Sequence, residues 1–402
     1  MRTDEEYVQQ VLPIDAEQAV LVGRVWDPVN GGPRVAAVHG ADVYDLQEEA
    51  PTVAGLLAAS EPAAVVRAIV GRLPGPRWQT AELLRAAEAH DRNRPHFLAP
   101  TDLQVVKACG VTFVDSMIER VIEERAGGDP RRAAELRERV GAALGGSLAD
   151  VRPGSPEADR AKAVFQAEGL WSQYLEVGIG KDPEVFTKAP VLASVGYGAG
   201  IGILGSSEWN NPEPELVLLV SPDGRPVGAT LGNDVNLRDI EGRSALLLGK
   251  AKDNNASSAL GPFIRLFDDT FTLDSLRNED ILLDVLGPDG FRLEGRNSLS
   301  RISRPFEELI AATVGPHHQY PDGFALYTGT LFAPVQDRAE AGRGFTHCVG
   351  DRVEISSPKL GTLANVVARC DELPPWEYGL GEFIAYLSRS ARVGLPAAPV
   401  SG

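Results

Sequence analysis

Apolar positions along this chain change their period from segment to segment, and the changes mark the elements. Between residues 18 and 47 short apolar runs (Ala19 to Val25, Val35 to His39, Ala41 to Leu46) alternate with glycine-containing turns, which predicts a small sheet. From 51 to 90 alanine and leucine recur at helical spacing, and Thr80 before Ala-Glu-Leu-Leu gives a polar helix start. Together these predict a small N-terminal α/β domain over 1–100. Lys107 to Phe113 reads as a strand, and Met117, Val121 and Ile122 continue as a helix. Residues 127–170 are charged and alanine-rich, broken by Gly127-Gly128 and Pro153-Gly154, and read as a helical insertion with a solvated face.

From Glu176 onward the pattern turns β-rich. Strands are predicted at Leu216 to Val220, Val227 to Leu231, Ile281 to Leu286, Phe291 to Glu294, Phe324 to Thr328, Arg352 to Ile355 and Leu363 to Ala368. The expected class is α+β: a β-rich mixed sheet or roll over 101–390, the small N-terminal unit before it, and a mobile tail over 391–402 rich in Pro, Ala and Gly.

One predicted hairpin carries chemistry. Asp223-Gly224 suits a two-residue turn. Placing Pro222 opposite Arg225 puts Glu213 opposite Asp234, with Glu215 two residues along on the same face. Three carboxylates on one face repel unless a cation joins them, and an all-oxygen set suits Mg²⁺, with Mn²⁺ or Ca²⁺ as alternatives. Paired acids beside prolines also serve simply to blunt a strand edge.

Composition narrows the partners. A net charge of −17 over 402 residues argues against nucleic acid and anionic membranes. Cys109, Cys348 and Cys370 are too few and too scattered for zinc or a disulfide framework. The acidic start lacks an apolar signal core and no apolar run reaches membrane-spanning length, so a cytoplasmic location is expected. Gly200-Ile-Gly-Ile-Leu-Gly205 matches a dinucleotide string, but Ser206-Ser-Glu-Trp-Asn-Asn-Pro212 cannot propagate the helix that the fingerprint requires; a turn with close backbone approach is expected there. The adjacent His317 and His318 read as structural.

The series Glu213-Pro-Glu215, Asn233-Asp-Val-Asn-Leu-Arg-Asp239, Lys252, Gly261-Pro-Phe-Ile264, Gly329-Thr330 and Gly350-Asp-Arg-Val-Glu-Ile…Leu360-Gly-Thr-Leu-Ala-Asn365 resembles the fumarylacetoacetate hydrolase family. The resemblance covers roughly residues 107 to 370. It implies a metal held by Glu213, Glu215 and Asp234. Hydrolases of that family carry a lid histidine that activates water; the matching position in Gly110-Val-Thr-Phe-Val-Asp-Ser116 is a serine, which cannot act as a base without its own activator. The lid, Pro183-Glu-Val-Phe-Thr-Lys188, Val195-Gly-Tyr-Gly198 and Ser207-Glu-Trp-Asn-Asn-Pro-Glu-Pro-Glu215 are instead similar to the family's dehydratases of 2-keto-3-deoxy sugar acids.

That branch implies Glu184 and Lys252 as the catalytic pair, and metal-dependent loss of the C4 hydroxyl from a 2-keto-3-deoxy pentonate to give 2-ketoglutaric semialdehyde. Thr330 is placed near the substrate carboxylate. Lys188, Tyr197, Ser116 and Glu119 are further candidate substrate contacts, with packing or surface roles open for Tyr197 and Glu119. Arg238 and Asp239 read as a structural ion pair. The resemblance also implies a homodimer or homotetramer acting on a small 2-keto acid. Two alternatives stand beside it: a C–C hydrolase of acylpyruvates or diketo sugar acids, and a non-catalytic 2-keto acid binding protein.

Overall fold

The computed structural model describes residues 3–136, 151–167, 169, 171–331, 334–338 and 342–393. Its centre is the predicted hairpin. Pro214–Val220 and Pro226–Asp234 pair antiparallel with Pro214 opposite Asn233 and Leu219 opposite Gly228, the expected register. The turn differs: Ser221 N–H donates to the Arg225 carbonyl and the chain reverses through three residues ending at Gly224 (φ 83°). A bulge between Leu219 and Val220 absorbs the extra turn residue, as three-residue hairpins with a left-handed glycine do. The backbone N–H of Asp234 donates to the Glu213 carbonyl, so the two acids stand opposite each other.

Successive side chains of Pro214–Val220 feed two cores, as strand periodicity demands. Leu216 and Leu218 join Phe263, Ile281, Leu283, Ile355 and Leu363, the layer between two sheets. Val217 and Leu219 join Val22, Val35 and Ile264 beneath the helices Val53–Leu57 and Pro62–Val70, represented by Leu56, Val66 and Ile69. The strand is buried on both faces, which is why it reads as an unbroken apolar run.

The larger sheet runs Trp78–Gln79, Asp42–Asp45, Gly32–His39, Leu21–Asp27, Ser258–Leu266, Pro226–Asp234, Pro214–Val220, Phe324–Tyr327, Val105–Gly110 and Glu184–Ala189, with His96–Leu98 paired to Leu21–Asp27. The predicted N-terminal strands therefore hydrogen-bond into the same sheet as the hairpin, through Leu21 opposite Arg265. The second sheet runs Arg292–Ser298, Asp280–Leu286, Arg352–Ser357, Gly361–Arg369 and Gly200–Ile203. The stretch read as a glycine turn is thus a strand, parallel to Gly361–Arg369. A β-carbon at Gly202 would stand 2.2 Å from the Asn255 carbonyl oxygen, so the close backbone approach expected there does occur.

The helix Val114–Ala126 follows the strand Val105–Gly110 and packs with Pro156–Ala167 and Gln173–Ile179 around Val121, Ile122, Phe165 and Leu175. Within the expected insertion, residues 137–150, 168 and 170 lie outside the described residues. The tail expected from 391 begins as the end of the helix Leu380–Val393, and 394–402 lie outside the described residues. Among the described residues no helix is long and apolar enough to cross a membrane.

Candidate functional site

The hairpin brings one carboxylate oxygen each of Glu213, Glu215 and Asp234 within 4.8 Å of one another, all three residues buried. Their neighbours differ, except that Lys252 is shared by two of them. Glu215 accepts from the backbone N–H of Gly329 at 2.7 Å. Asp234 Oδ1 faces Lys188 Nζ at 2.8 Å and its Oδ2 accepts from Lys252 Nζ at 3.1 Å. Glu213 accepts from both Lys252 Nζ and Arg120 Nη2.

The charges explain the titration. Burial, then Asp234 and Glu213, push the Glu215 carboxyl well above the ordinary range. Burial also opposes ionisation of Asp234, but Lys188 and Lys252 outweigh it and hold that carboxyl low. Lys252 is raised: burial works against its charge, and Asp234, Glu213 and Glu241 more than compensate. Glu215 is thus a hydrogen-bonded carboxyl that needs more positive charge than the protein supplies to ionise. Three convergent oxygen donors with that deficit fit a hard divalent cation.

A small pocket opens on the triad, lined also by Ser116, Glu184, Lys252 and Thr330. Glu184 heads the strand Glu184–Ala189 and lies opposite Gly110. A β-carbon at Gly110 would fall 1.9 Å from Glu184 Oε2, so only glycine leaves the carboxyl room. Burial, and next the charge of Glu241, raise Glu184 to about 7. Lys252 ends the short helix Leu248–Lys252, its ammonium aimed at the hairpin. Ser116 Oγ donates to the Thr330 carbonyl at 2.8 Å, tying the helix Val114–Ala126 to the Gly329-Thr330 turn.

Three expected contacts sit elsewhere. Lys188 is fully buried behind Asp234, with the Val235 and Lys252 carbonyls and Ser257 Oγ as its other acceptors, so it braces a triad member. Tyr197 donates to Glu88 at 2.8 Å within the core, which is its packing alternative. Glu119 turns toward Arg238 at 3.9 Å and does not line the pocket. The expected Arg238–Asp239 pair is also replaced: Arg238 Nε faces Glu123 at 2.8 Å while its guanidinium stacks on Trp209. Asp239 accepts from Ser207 Oγ and the Glu208 N–H. His317 and His318 are exposed.

The sequence reading missed Arg120 and Glu241, both of which line the pocket. Arg120 directly follows the Glu119 that was singled out. A helix turns successive residues about 100° apart, so choosing the wrong neighbour chose the wrong face. Glu241 lies one helical turn past Arg238–Asp239, in a stretch read only as a structural pair.

No protein-family model matches the chain. It is 33% identical to 2-dehydro-3-deoxy-D-arabinonate dehydratase of Saccharolobus solfataricus over 190 residues, 46% of this chain and 59% of that enzyme. It is 27% identical over 339 residues to a Haloferax volcanii protein named "Probable 2-keto-3-deoxyxylonate dehydratase", covering 84% of this chain and 96% of that one. The chain thus aligns with a little over half of the first relative and nearly all of the second. Among solved structures, 2-keto-3-deoxy-D-arabinonate dehydratase complexed with magnesium and 2,5-dioxopentanoate superposes with a TM-score of 0.59 at 22% identity, over 87% of this chain and 99% of that one. The two share a fold.

Proposed function

We propose that this chain, whose sequence relatives and fold both support the resemblance to the dehydratase branch of the fumarylacetoacetate hydrolase family, is a magnesium-dependent hydro-lyase. Its substrate is a 2-keto-3-deoxy pentonate and its product 2-ketoglutaric semialdehyde (2,5-dioxopentanoate). The observation that carries the reading is one pocket holding Glu213, Glu215 and Asp234 together with Glu184 and Lys252.

Glu213, Glu215 and Asp234 would hold Mg²⁺, with Mn²⁺ or Ca²⁺ as substitutes. A divalent ion there supplies Lewis-acid polarisation of a 2-keto acid's carbonyl. The remaining work falls to the chain. Glu184, raised to about 7, exchanges protons near neutral pH and is assigned as the base that removes a proton from C3. Lys252 keeps its charge and is assigned to stabilise the negative charge that then develops at the C2 oxygen. The Thr330 hydroxyl is assigned to the substrate carboxylate. Ser116 holds the Thr330 backbone and so positions it.

The hydrolase alternative needs a side chain that activates water. Ser116 occupies the lid position, its hydroxyl is donated to a carbonyl, and no histidine lines the pocket among the described residues. Incubation with Mg²⁺ and each C4 epimer of 2-keto-3-deoxypentonate should release the semialdehyde; no product from either epimer would reject the proposal. The reading includes a cytoplasmic homodimer or homotetramer, checked by light scattering.

A further inference from the structure

Lys252 remains positively charged and is engaged by Glu213 and Asp234, so the group that delivers a proton to the departing C4 hydroxyl has not been identified. Glu241 is placed for that role. It ends the short helix Arg238–Glu241, lines the pocket, and is 4% exposed. Among the described residues its Oε2 has no hydrogen-bond partner. Arg120 Nη1 forms an ion pair with it at 3.6 Å but hydrogen-bonds Glu123 at 2.6 Å.

The helix that carries Glu241 is fixed at its start. Arg238 is locked against Glu123 and Trp209, and Asp239 against Ser207 and Glu208. A buried carboxyl oxygen without a hydrogen bond costs stability where it serves no purpose. Glu184 and Glu241 line the same small pocket. Two carboxyls in one buried space do not both ionise readily; one keeps a proton, which makes an acid and a base of a single pair.

We propose that Glu241 is a catalytic residue, the general acid that protonates the C4 hydroxyl as it leaves, with Glu184 as its complementary base. This rests on the dehydratase reading. The proposed cycle starts with Glu184 ionised and the pair's one proton on Glu241. Glu184 takes a proton from C3 and the C3–H electron pair moves into the enolate. The enolate re-forms the C2 carbonyl and a C3–C4 double bond as the C4–O bond breaks, and the departing oxygen takes the Glu241 proton to leave as water. Glu241, now a carboxylate, removes a proton from C5 while Glu184 returns one to C3. The resulting C4–C5 enol becomes the aldehyde when Glu241 gives its proton to C4 and recovers one from the enol oxygen. Both carboxyls end as they began, and no other reactant is consumed.

The test compares wild type with Glu241→Gln in Mg²⁺ on three compounds. On 2-keto-3-deoxypentonate, water loss should fall ~10²–10⁴-fold, the ordinary contribution of a positioned acid. On 2-oxopentanoate in D₂O, exchange at C3 needs only the base and should fall less than tenfold. On the 4-fluoro analogue fluoride leaves without a proton, so the variant should recover most of the wild-type rate. Water loss at the wild-type rate, or exchange and fluoride release that fall as far as water loss, would overturn the assignment. A wild type that eliminates from neither C4 epimer would reject the dehydratase reading itself, a separate and recognisable result.

Discussion

Gly110 and Glu184 face each other across neighbouring strands so closely that a β-carbon on the first would fall 1.9 Å from Oε2 of the second. The atom in the way is the end of a flexible side chain, so the sheet itself can tolerate the change. Gly110→Ala should therefore fold with a Tm near that of wild type while losing at least about tenfold in kcat, because a displacement of the base by about 1 Å is costly. Thermal melts and steady-state rates on one preparation check both halves.

The position of Glu184 also sets a pH dependence. A carboxyl acting as base works when ionised. Burial and Glu241 raise this one to about 7, so it is protonated below that value. Activity should accordingly rise with pH toward about 7 as Glu184 ionises. Glu184→Gln should remove both the activity and the limb. A kcat/KM profile that is flat from about pH 5.5 to 8.5 would contradict the assignment of the base.

The hairpin acids were legible in the sequence because strand geometry leaves little freedom: once a turn is placed, every cross-strand neighbour follows. The turn itself was misjudged by one residue, and the bulge at Leu219–Val220 restored the register, so Glu213 still met Asp234. Lys188, Tyr197 and Glu119 were less readable. Whether a lysine near a carboxylate faces substrate or braces the acid from behind depends on which side of the strand the third layer covers, and no local pattern records that. The joining of the N-terminal strands to the hairpin sheet was equally hidden, since Leu21 meets Arg265 across more than half the chain. Arg120 and Glu241 belong to helices whose polar faces look solvated in isolation and become a pocket wall only when they meet.

Lys188 offers a test of the bracing role. Its ammonium is the 2.8 Å partner of Asp234, and both are buried. Lys188→Met should destabilise the metal-free protein by ~3–5 kcal/mol, the usual effect of removing one member of a buried ion pair. Saturating Mg²⁺ should recover part of that loss. Urea melts with and without Mg²⁺ measure it; an equal loss in both would contradict the link to the triad.

Metal linkage gives a prediction independent of turnover. A ligand that binds only the folded state stabilises it by ~2.7 kcal/mol at a hundred times its dissociation constant. Mg²⁺ should raise the Tm of the wild type and leave Glu215→Gln/Asp234→Asn unmoved. Differential scanning calorimetry across a Mg²⁺ titration reads the contrast.

The most direct measurement is anomalous diffraction from crystals soaked in Mn²⁺ and 2-oxopentanoate. The expected map shows one strong peak among the carboxylates of Glu213, Glu215 and Asp234, with the carboxylate and keto oxygens of the acid beside it and C3 turned toward Glu184. A map with no peak there, from protein that still dehydrates the pentonate in the same buffer, would contradict the account.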